Sequence, residues 1–256
     1  MPELPEVATV IRTVETHLLG RRLIEVRCFT KKSWARSTRR AAGQLIHEVR
    51  RYGKFILIGL DDGLLAIHLG MTGKLLAGAE RGAYTRAVLV LDTGEVLFDD
   101  VRQFGSVRWL RQAPGHLGPD ALEISAEEFA GRLRTRKARL KALLLNQVFL
   151  RGLGNIYADE SLFRAGVHPL AIAARLSPKR ALKLHKAIRE VLFDAIAKGG
   201  SSISDYVDAN GSQGSFQTEH RVYQRTGEPC LNCGTPIRRI LVAQRATHYC
   251  PKCQRR

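Results

Sequence analysis

Apolar residues near the start of the chain recur at helical spacing. Val7, Val10, Ile11, Val14 and Leu18 share one face of a 3.6-residue period and Pro5 suits a first turn, so the pattern predicts an amphipathic helix over 7–19. From Arg22 to Leu110 the period shortens. The runs LIEVRCF, FILIGL, LLAIHLG, AVLVL, EVLF and SVRWL, separated by turn signals such as Asp61-Asp62-Gly63 and Asp92-Thr93-Gly94, predict a β-sandwich or barrel. After Pro114-Gly115 and Gly118-Pro119 helical spacing returns. Ser125 and Glu128 form a capping-box pair, and Phe129, Leu133, Leu140, Leu144 and Val148 extend one helix across 125–149. Arg151-Gly152-Leu153-Gly154 breaks it, and Asn155 is placed to cap a helix through IYADESLFRAGV. Ser177-Pro178 opens a long helix that stops at Gly199-Gly200. Residues 201–220, polar and rich in Ser and Gly, follow neither period and read as a mobile loop; from Val222 a small cysteine-bearing module follows. The expected class is α+β, with boundaries at 1–113, 114–220 and 221–256.

Charge narrows the function. The chain carries 41 Lys and Arg against 24 Asp and Glu, a formal +17 over 256 residues whose 45% hydrophobic content is that of a globular protein. Such an excess on a folded body favours a polyanionic partner. The excess is also clustered. Residues 31–54 hold eight basic side chains against Glu48 alone, and residues 132–141 hold Arg132, Arg134, Arg136, Lys137, Arg139 and Lys141 with no acid. A solvated face usually alternates sign, so these runs point to nucleic-acid phosphates. No run of 18 apolar residues is present and the first residues lack a basic leader, so no membrane association is expected and the expected location is cytoplasmic.

Four of the five cysteines lie in the last 27 residues as C-x2-C-x16-C-x2-C: Cys230, Cys233, Cys250 and Cys253. That spacing is expected of a four-thiolate zinc site, which leaves no coordination position open, so one structural Zn2+ per chain is expected. Two disulfides are the competing reading. Cys28 is left over as a plain buried thiol.

The N-terminus carries candidate chemistry. Removal of Met1 before the small Pro2 would expose a secondary amine beside Glu3 and Glu6, with a reference pKa near 8, well below that of a lysine. Taken alone, these residues are better explained by an ordinary helix start. The combination of PELPEV at 2–7, HLGMTG at 68–73, Arg102-Gln103-Phe104-Gly105, GLGNIYADESLF at 152–163 and QRATHYC with its four cysteines closely resembles the formamidopyrimidine-DNA glycosylase family, in order and over essentially the whole chain.

The resemblance implies a bifunctional glycosylase and abasic-site lyase of base excision repair. Such an enzyme excises oxidised purines, notably 8-oxoguanine and formamidopyrimidines, and then cuts the strand by β,δ-elimination. It further implies an N-terminal β-sandwich flanked by helices, a helix-two-turn-helix domain and a zinc ribbon, with damaged double-stranded DNA bound by a nucleoid-associated monomer. On this match Pro2 attacks the sugar C1′, Glu3 is the general acid and base, Glu6 supports it, and Lys54 contacts the lesion phosphate. Met71, Arg102 and Phe104 fill the gap left by the extruded nucleotide, as base-excision chemistry requires. Core packing is the competing reading for Met71 and Phe104. His68, Lys141, Asn155 and Arg245 align with phosphate contacts, Arg245 also with δ-elimination, and 201–220 with a lesion-capping segment.

Departures fall on the DNA contacts. Ala8 stands where the family usually has Glu, Arg86 replaces a DNA-contacting histidine, and Gln103 stands for a second arginine. Two rivals remain: an endonuclease VIII-like enzyme acting on oxidised pyrimidines, which usually has Gly where this chain has Leu4, and a non-catalytic zinc-ribbon DNA-binding protein.

Overall fold

A computed structural model describes residues 1–203 and 206–256. It divides into two compact units, Met1–Gly115 with Ile196–Gln217, and His116–Ala195 with Thr218–Arg256.

The first unit opens with α1 (Leu4–Leu18), whose Val7, Val10, Val14 and Leu18 are fully buried. Eight antiparallel strands follow: β1 (Arg22–Cys28), β2 (Gln44–Tyr52), β3 (Phe55–Leu60), β4 (Leu64–His68), β5 (Gly73–Ala77), β6 (Thr85–Leu91), β7 (Glu95–Asp100) and β8 (Ser106–Leu110). Their order is β5-β7-β6-β1-β2-β3-β4-β8. β1 meets β2 only at Arg22↔Leu45 and Leu23↔Gln44, so the ladder folds into two four-stranded layers. Alternate residues of each layer, Ile56, Ile58, Leu65 and Ile67 on one side and Leu75, Leu89, Val96 and Phe98 on the other, fill the core between them. This is the expected sandwich. β2 and β5 escaped the pattern because β2 is interrupted by charge at Glu48, Arg50 and Arg51 and β5, GKLLA, offers only Leu75, Leu76 and Ala77 as an apolar stretch. Cys28 is half-buried against Thr38, and burial pushes its thiol pKa up.

Segment 196–217 belongs with the sandwich rather than with the helices. The Ser201 N–H donates to Glu6 Oε1 at 2.7 Å, the Tyr206 hydroxyl to the Glu6 carbonyl at 3.2 Å, and Ala209 N–H to Thr13 Oγ1 at 3.1 Å. Gly200, at φ +81°, lies so close to Glu6 that an added Cβ would stand 2.6 Å from Oε1. Much of the expected loop is therefore anchored, with a 3-10 turn over Phe216–Glu219; Ser204 and Asp205 lie outside the described residues.

The second unit holds α2 (Ala126–Arg134), α3 (Leu140–Leu145), α4 (Asn155–Ala165), most of α5 (Pro178–Ala197) and the hairpin β9 (Arg238–Val242) and β10 (Arg245–Tyr249). The single helix expected over 125–149 is two. Ser125 Oγ accepts from Glu128 N–H as a cap, but α2 ends at Arg134 and the chain is non-helical from Thr135 to Arg139. There it pairs with 171–174: Ala174 N–H donates to Arg136 O, Ala173 N–H to Ala138 O and Leu140 N–H to Ala171 O, at 2.9–3.0 Å. Six positive charges in ten residues, with no acid among them in sequence, also disfavour a helix here. Asn155 is not the cap of α4; Gly154 is, and Asn155 is its first residue. Among the described residues no helix is long and apolar enough to cross a membrane.

Candidate active site

The first group of expected residues lies at the N-terminus of α1. Glu3 is its cap: the Glu3 carboxylate accepts from Glu6 N–H, while Glu6 Oε2 accepts from Glu3 N–H at 2.8 Å. Each carboxylate is 2% exposed, and Pro2 beside them is buried. Glu6 also accepts from Ser201 N–H, so both its oxygens are spent on backbone donors. The same residues that start the helix thus fix two buried carboxylates within the first turn after Pro2.

Lys54 sits, buried, in the two-residue turn between β2 and β3, after Gly53 at φ 62°. The β3 and β4 pairing sets Phe55 opposite His68, their rings 4.8 Å apart. Burial first, and then the charges of Lys54 and Arg108, lower the His68 pKa to about 4. The imidazole is therefore neutral near pH 7. Gly70 N–H donates to His68 Nδ1 at 3.1 Å, which leaves the proton on Nε2, a neutral donor.

Met71, Arg102 and Phe104 ride on two adjacent loops. Met71 is 40% exposed and Phe104 58%, with the Arg102 guanidinium 4.8 Å above the Phe104 ring. They are not core residues. What holds them is buried Asp100, which escaped sequence reasoning: Oδ1 accepts from the Thr72 hydroxyl at 2.6 Å, Oδ2 from Gly105 N–H at 2.7 Å, and its carbonyl from Arg86 Nε at 2.9 Å. Thr72 Oγ1 in turn accepts from Arg102 N–H. Gly70 presses on the backbone of Gly105, where a Cβ would stand 2.5 Å from its nitrogen. The available signal was an Asp pair closing a strand just before RQFG.

In the second unit the structure corrects one expectation. Lys141 is 0% exposed and its Nζ contacts Asp159 Oδ1 at 2.6 Å and the Asn155 carbonyl at 3.1 Å, so no phosphate reaches it. It instead braces the start of α4. Asp159 Oδ2 accepts from His248 N–H at 3.0 Å, and Asn155 Nδ2 donates to the Ala246 carbonyl at 3.0 Å, tying α4 to β10. Arg245 opens β10, exposed, after a tight turn in which Ala243 (φ 49°) and Gln244 (φ 57°) are both left-handed, the backbone that suits a two-residue hairpin.

The four Sγ atoms of Cys230, Cys233, Cys250 and Cys253 lie within 4.8 Å of one another, with contacts of 3.9 Å and 3.5 Å, and none forms a disulfide. Tetrahedral Zn–S bonds of about 2.3 Å place sulfurs roughly 3.8 Å apart, so the group fits one zinc. Gly234 N–H donates to the Cys230 carbonyl and Cys253 N–H to Cys250 Sγ, the turns that aim the thiolates inward. With four thiolates the site is closed and structural. Glu160 anchors the module to α4 by accepting from the N–H groups of Arg221, Val222 and Tyr223.

Comparison with known proteins agrees along the whole chain. Residues 1–107 match the formamidopyrimidine-DNA glycosylase N-terminal domain, 117–207 the helix-two-turn-helix domain of the same enzymes, and 227–256 a zinc finger found in them and in isoleucyl-tRNA synthetases. A formamidopyrimidine-DNA glycosylase of Solibacter usitatus is 55% identical over 265 residues, covering all of both chains. The crystal structure of the MutM (Fpg) protein of Thermus thermophilus superposes with a TM-score of 0.92 at 43% identity, covering 99% of this chain and 98% of that one. The Lactococcus lactis Fpg in complex with abasic-site DNA gives 0.88 at 34% identity over the full length of both. Sandwich, helix-two-turn-helix and thiolate cluster together define a zinc-bearing DNA repair glycosylase. The chain belongs to the formamidopyrimidine-DNA glycosylase family.

Proposed function

We propose that this base-excision glycosylase and abasic-site lyase works through the nitrogen of Pro2 on oxidised purines in double-stranded DNA. With Met1 removed, the Pro2 amine gives up its proton and its lone pair forms a bond to C1′. The glycosidic bond breaks, its electron pair leaving with the base, which takes up a proton. Opening of the sugar at O4′ gives an iminium ion. Loss of a C2′ proton then expels the 3′ phosphate, and a second elimination the 5′ phosphate. Glu3 moves the protons, Glu6 holds the helix start that carries Glu3, and Lys54, His68, Asn155 and Arg245 hold phosphates. Met71, Arg102 and Phe104 fill the vacated stack, with Arg86 bracing their loop and residues 201–220 covering the lesion.

The observation that carries this reading is the helix start itself, where two carboxylates, each 2% exposed, are locked by backbone N–H groups beside Pro2. A capping box accounts for the reciprocal bonds of Glu3 and Glu6 but not for the second oxygen of Glu6, which is held by Ser201 N–H from far along the chain. We place residues 1–113 as the catalytic part, 114–220 as the helix-two-turn-helix part and 221–256 as the ribbon, acting as a monomer on the chromosome in the cytoplasm. Duplexes bearing one defined lesion each test the substrate class. Cleavage at 8-oxoguanine and formamidopyrimidines well above that at oxidised pyrimidines is expected; the reverse order would overturn the purine assignment. Glu3→Gln keeps the shape and should abolish base release while sparing duplex binding.

A further inference from the structure

One basic feature lies outside the site residues described above, although Arg139 within it also belongs to the basic run 132–141. A pocket of about 490 Å3 opens in the helical unit, ringed by Arg139, Arg175, Arg180 and Arg256 and walled by Leu170, Ile172 and Leu176. Among the described residues no carboxylate side chain lines it. Among the described residues none of the four guanidiniums pairs with an acidic side chain. Arg180 is aimed by the main-chain oxygens of Arg255 and Arg256, to which it donates at 2.6 Å and 2.9 Å. The floor is rigid: Arg139 bridges Ile172, and Leu140 N–H and Ala173 N–H bind the Ala171 and Ala138 carbonyls. The first turn of α5, a helix of 20 residues, starts at its rim and adds the positive end of its dipole.

Guanidiniums drawn together with no acidic side chain among them raise one another's energy unless an anion joins them, and Arg139, Arg175 and Arg256 have no such partner among the described residues. The volume is that of a small-molecule site, and a concave hollow of this size does not admit the convex rod of a duplex. Guanidiniums, with their planar forks, select phosphate or carboxylate groups, and a terminal phosphate with nearly two negative charges answers several forks at once. The leucine and isoleucine wall then receives an organic body. We propose that this pocket is a second anion site that binds the terminal phosphate of a nucleotide or of a nucleic-acid strand end.

The test is calorimetry on the zinc-loaded full chain already saturated with undamaged duplex, so that the duplex-binding surface is occupied. Inorganic pyrophosphate is titrated first, then dGMP, then a short single strand with a 5′-phosphate and the same strand with a 5′-hydroxyl. Pyrophosphate should bind at one per chain, and Arg175→Gln should weaken it roughly tenfold or more, as loss of a charge-assisted fork does. Cleavage of a lesion duplex by that variant should not change. Binding of dGMP identifies free nucleotides as the source, and preference for the 5′-phosphorylated strand identifies strand ends; either upholds the site. Arg175→Lys, which keeps the charge and removes the fork, should fall between, and serves as the second variant if Arg175→Gln disturbs folding. Three results would overturn the proposal: no binding at millimolar pyrophosphate to the duplex-saturated protein, affinity unchanged by Arg175→Gln, or tighter binding of an acidic peptide than of any phosphate.

Discussion

The two units hold exposed chemical groups still by different means. In the sandwich unit a large apolar core spans two sheet layers, and one buried carboxylate, Asp100, is enough to clamp both loops that carry Met71, Arg102 and Phe104. The cysteine module has a far smaller core, in which Phe163, Val222, Cys230, Ile237 and Cys250 are the buried members. So few apolar residues cannot offset the chain entropy of ordering the hairpin, and the shortfall is met by metal bonds and by the buried Lys141, Asp159 and His248 group. Where the core is large, polar groups only aim; where it is small, they also hold the fold.

The largest effect should come from taking away the metal. Apparent zinc-binding energies of about 10–16 kcal/mol couple directly to folding in modules of this kind. Cys250→Ser should therefore lose zinc and the β9–β10 hairpin together, weaken DNA binding by roughly a hundredfold or more, and leave the sandwich folded. Zinc analysis, far-UV spectra and binding assays read the three quantities. Full DNA affinity without zinc would erase the contrast between the units.

Next is the buried ion pair. Lys141→Met strands Asp159 without its cation and should cost about 3–5 kcal/mol in denaturant unfolding. Lys141→Met combined with Asp159→Leu should recover part of that loss. If Lys141→Met is neutral in stability but weakens binding, Lys141 reaches phosphate after all.

Acid should strike both units alike. Burial lowers the pKa of His68 in the sandwich unit and of His220 in the helical unit to about 4, from 6.5 in the unfolded chain. The folded state refuses these protons and the unfolded state takes them. Stability is therefore full above pH 6.5 and falls as pH drops toward 4, by at most about 3 kcal/mol for each histidine. His68→Gln and His220→Gln should each flatten part of that slope; an unchanged slope in both would contradict the burial argument.

Smallest in stability is Met71→Ala. A side chain 40% exposed loses little packing, so unfolding should shift by about 0.5 kcal/mol or less. Excision should slow far more than binding to a site already lacking its base weakens. A large loss of stability would return Met71 to the core.

How much was legible in the sequence follows from what each signal measures. The near-continuous apolar runs FILIGL and EVLF report burial directly, so the strands that line the core could be read. The cysteine spacing reports a turn geometry, and it too was plain. The break at Thr135–Arg139 carries no Gly or Pro, because it is set by pairing with residues 171–174, far along the chain. Lys141 looked like its basic neighbours for the same reason: Asp159, which buries it, lies 18 residues away. Asp100 and Thr72 act through loops that meet only in the fold, and the residues they support were found by resemblance, not by period.

The central claim rests on one atom, the nitrogen of Pro2. Borohydride reduces an iminium to a stable amine, so incubation with a lesion duplex under borohydride should leave a covalent protein–DNA adduct. Peptide mapping should place the DNA on Pro2 with Met1 absent, and Pro2→Gly, which substitutes a primary amine, should keep lesion binding and lose most excision. An adduct mapped to Lys54, or full activity in chains that retain Met1, would contradict the account.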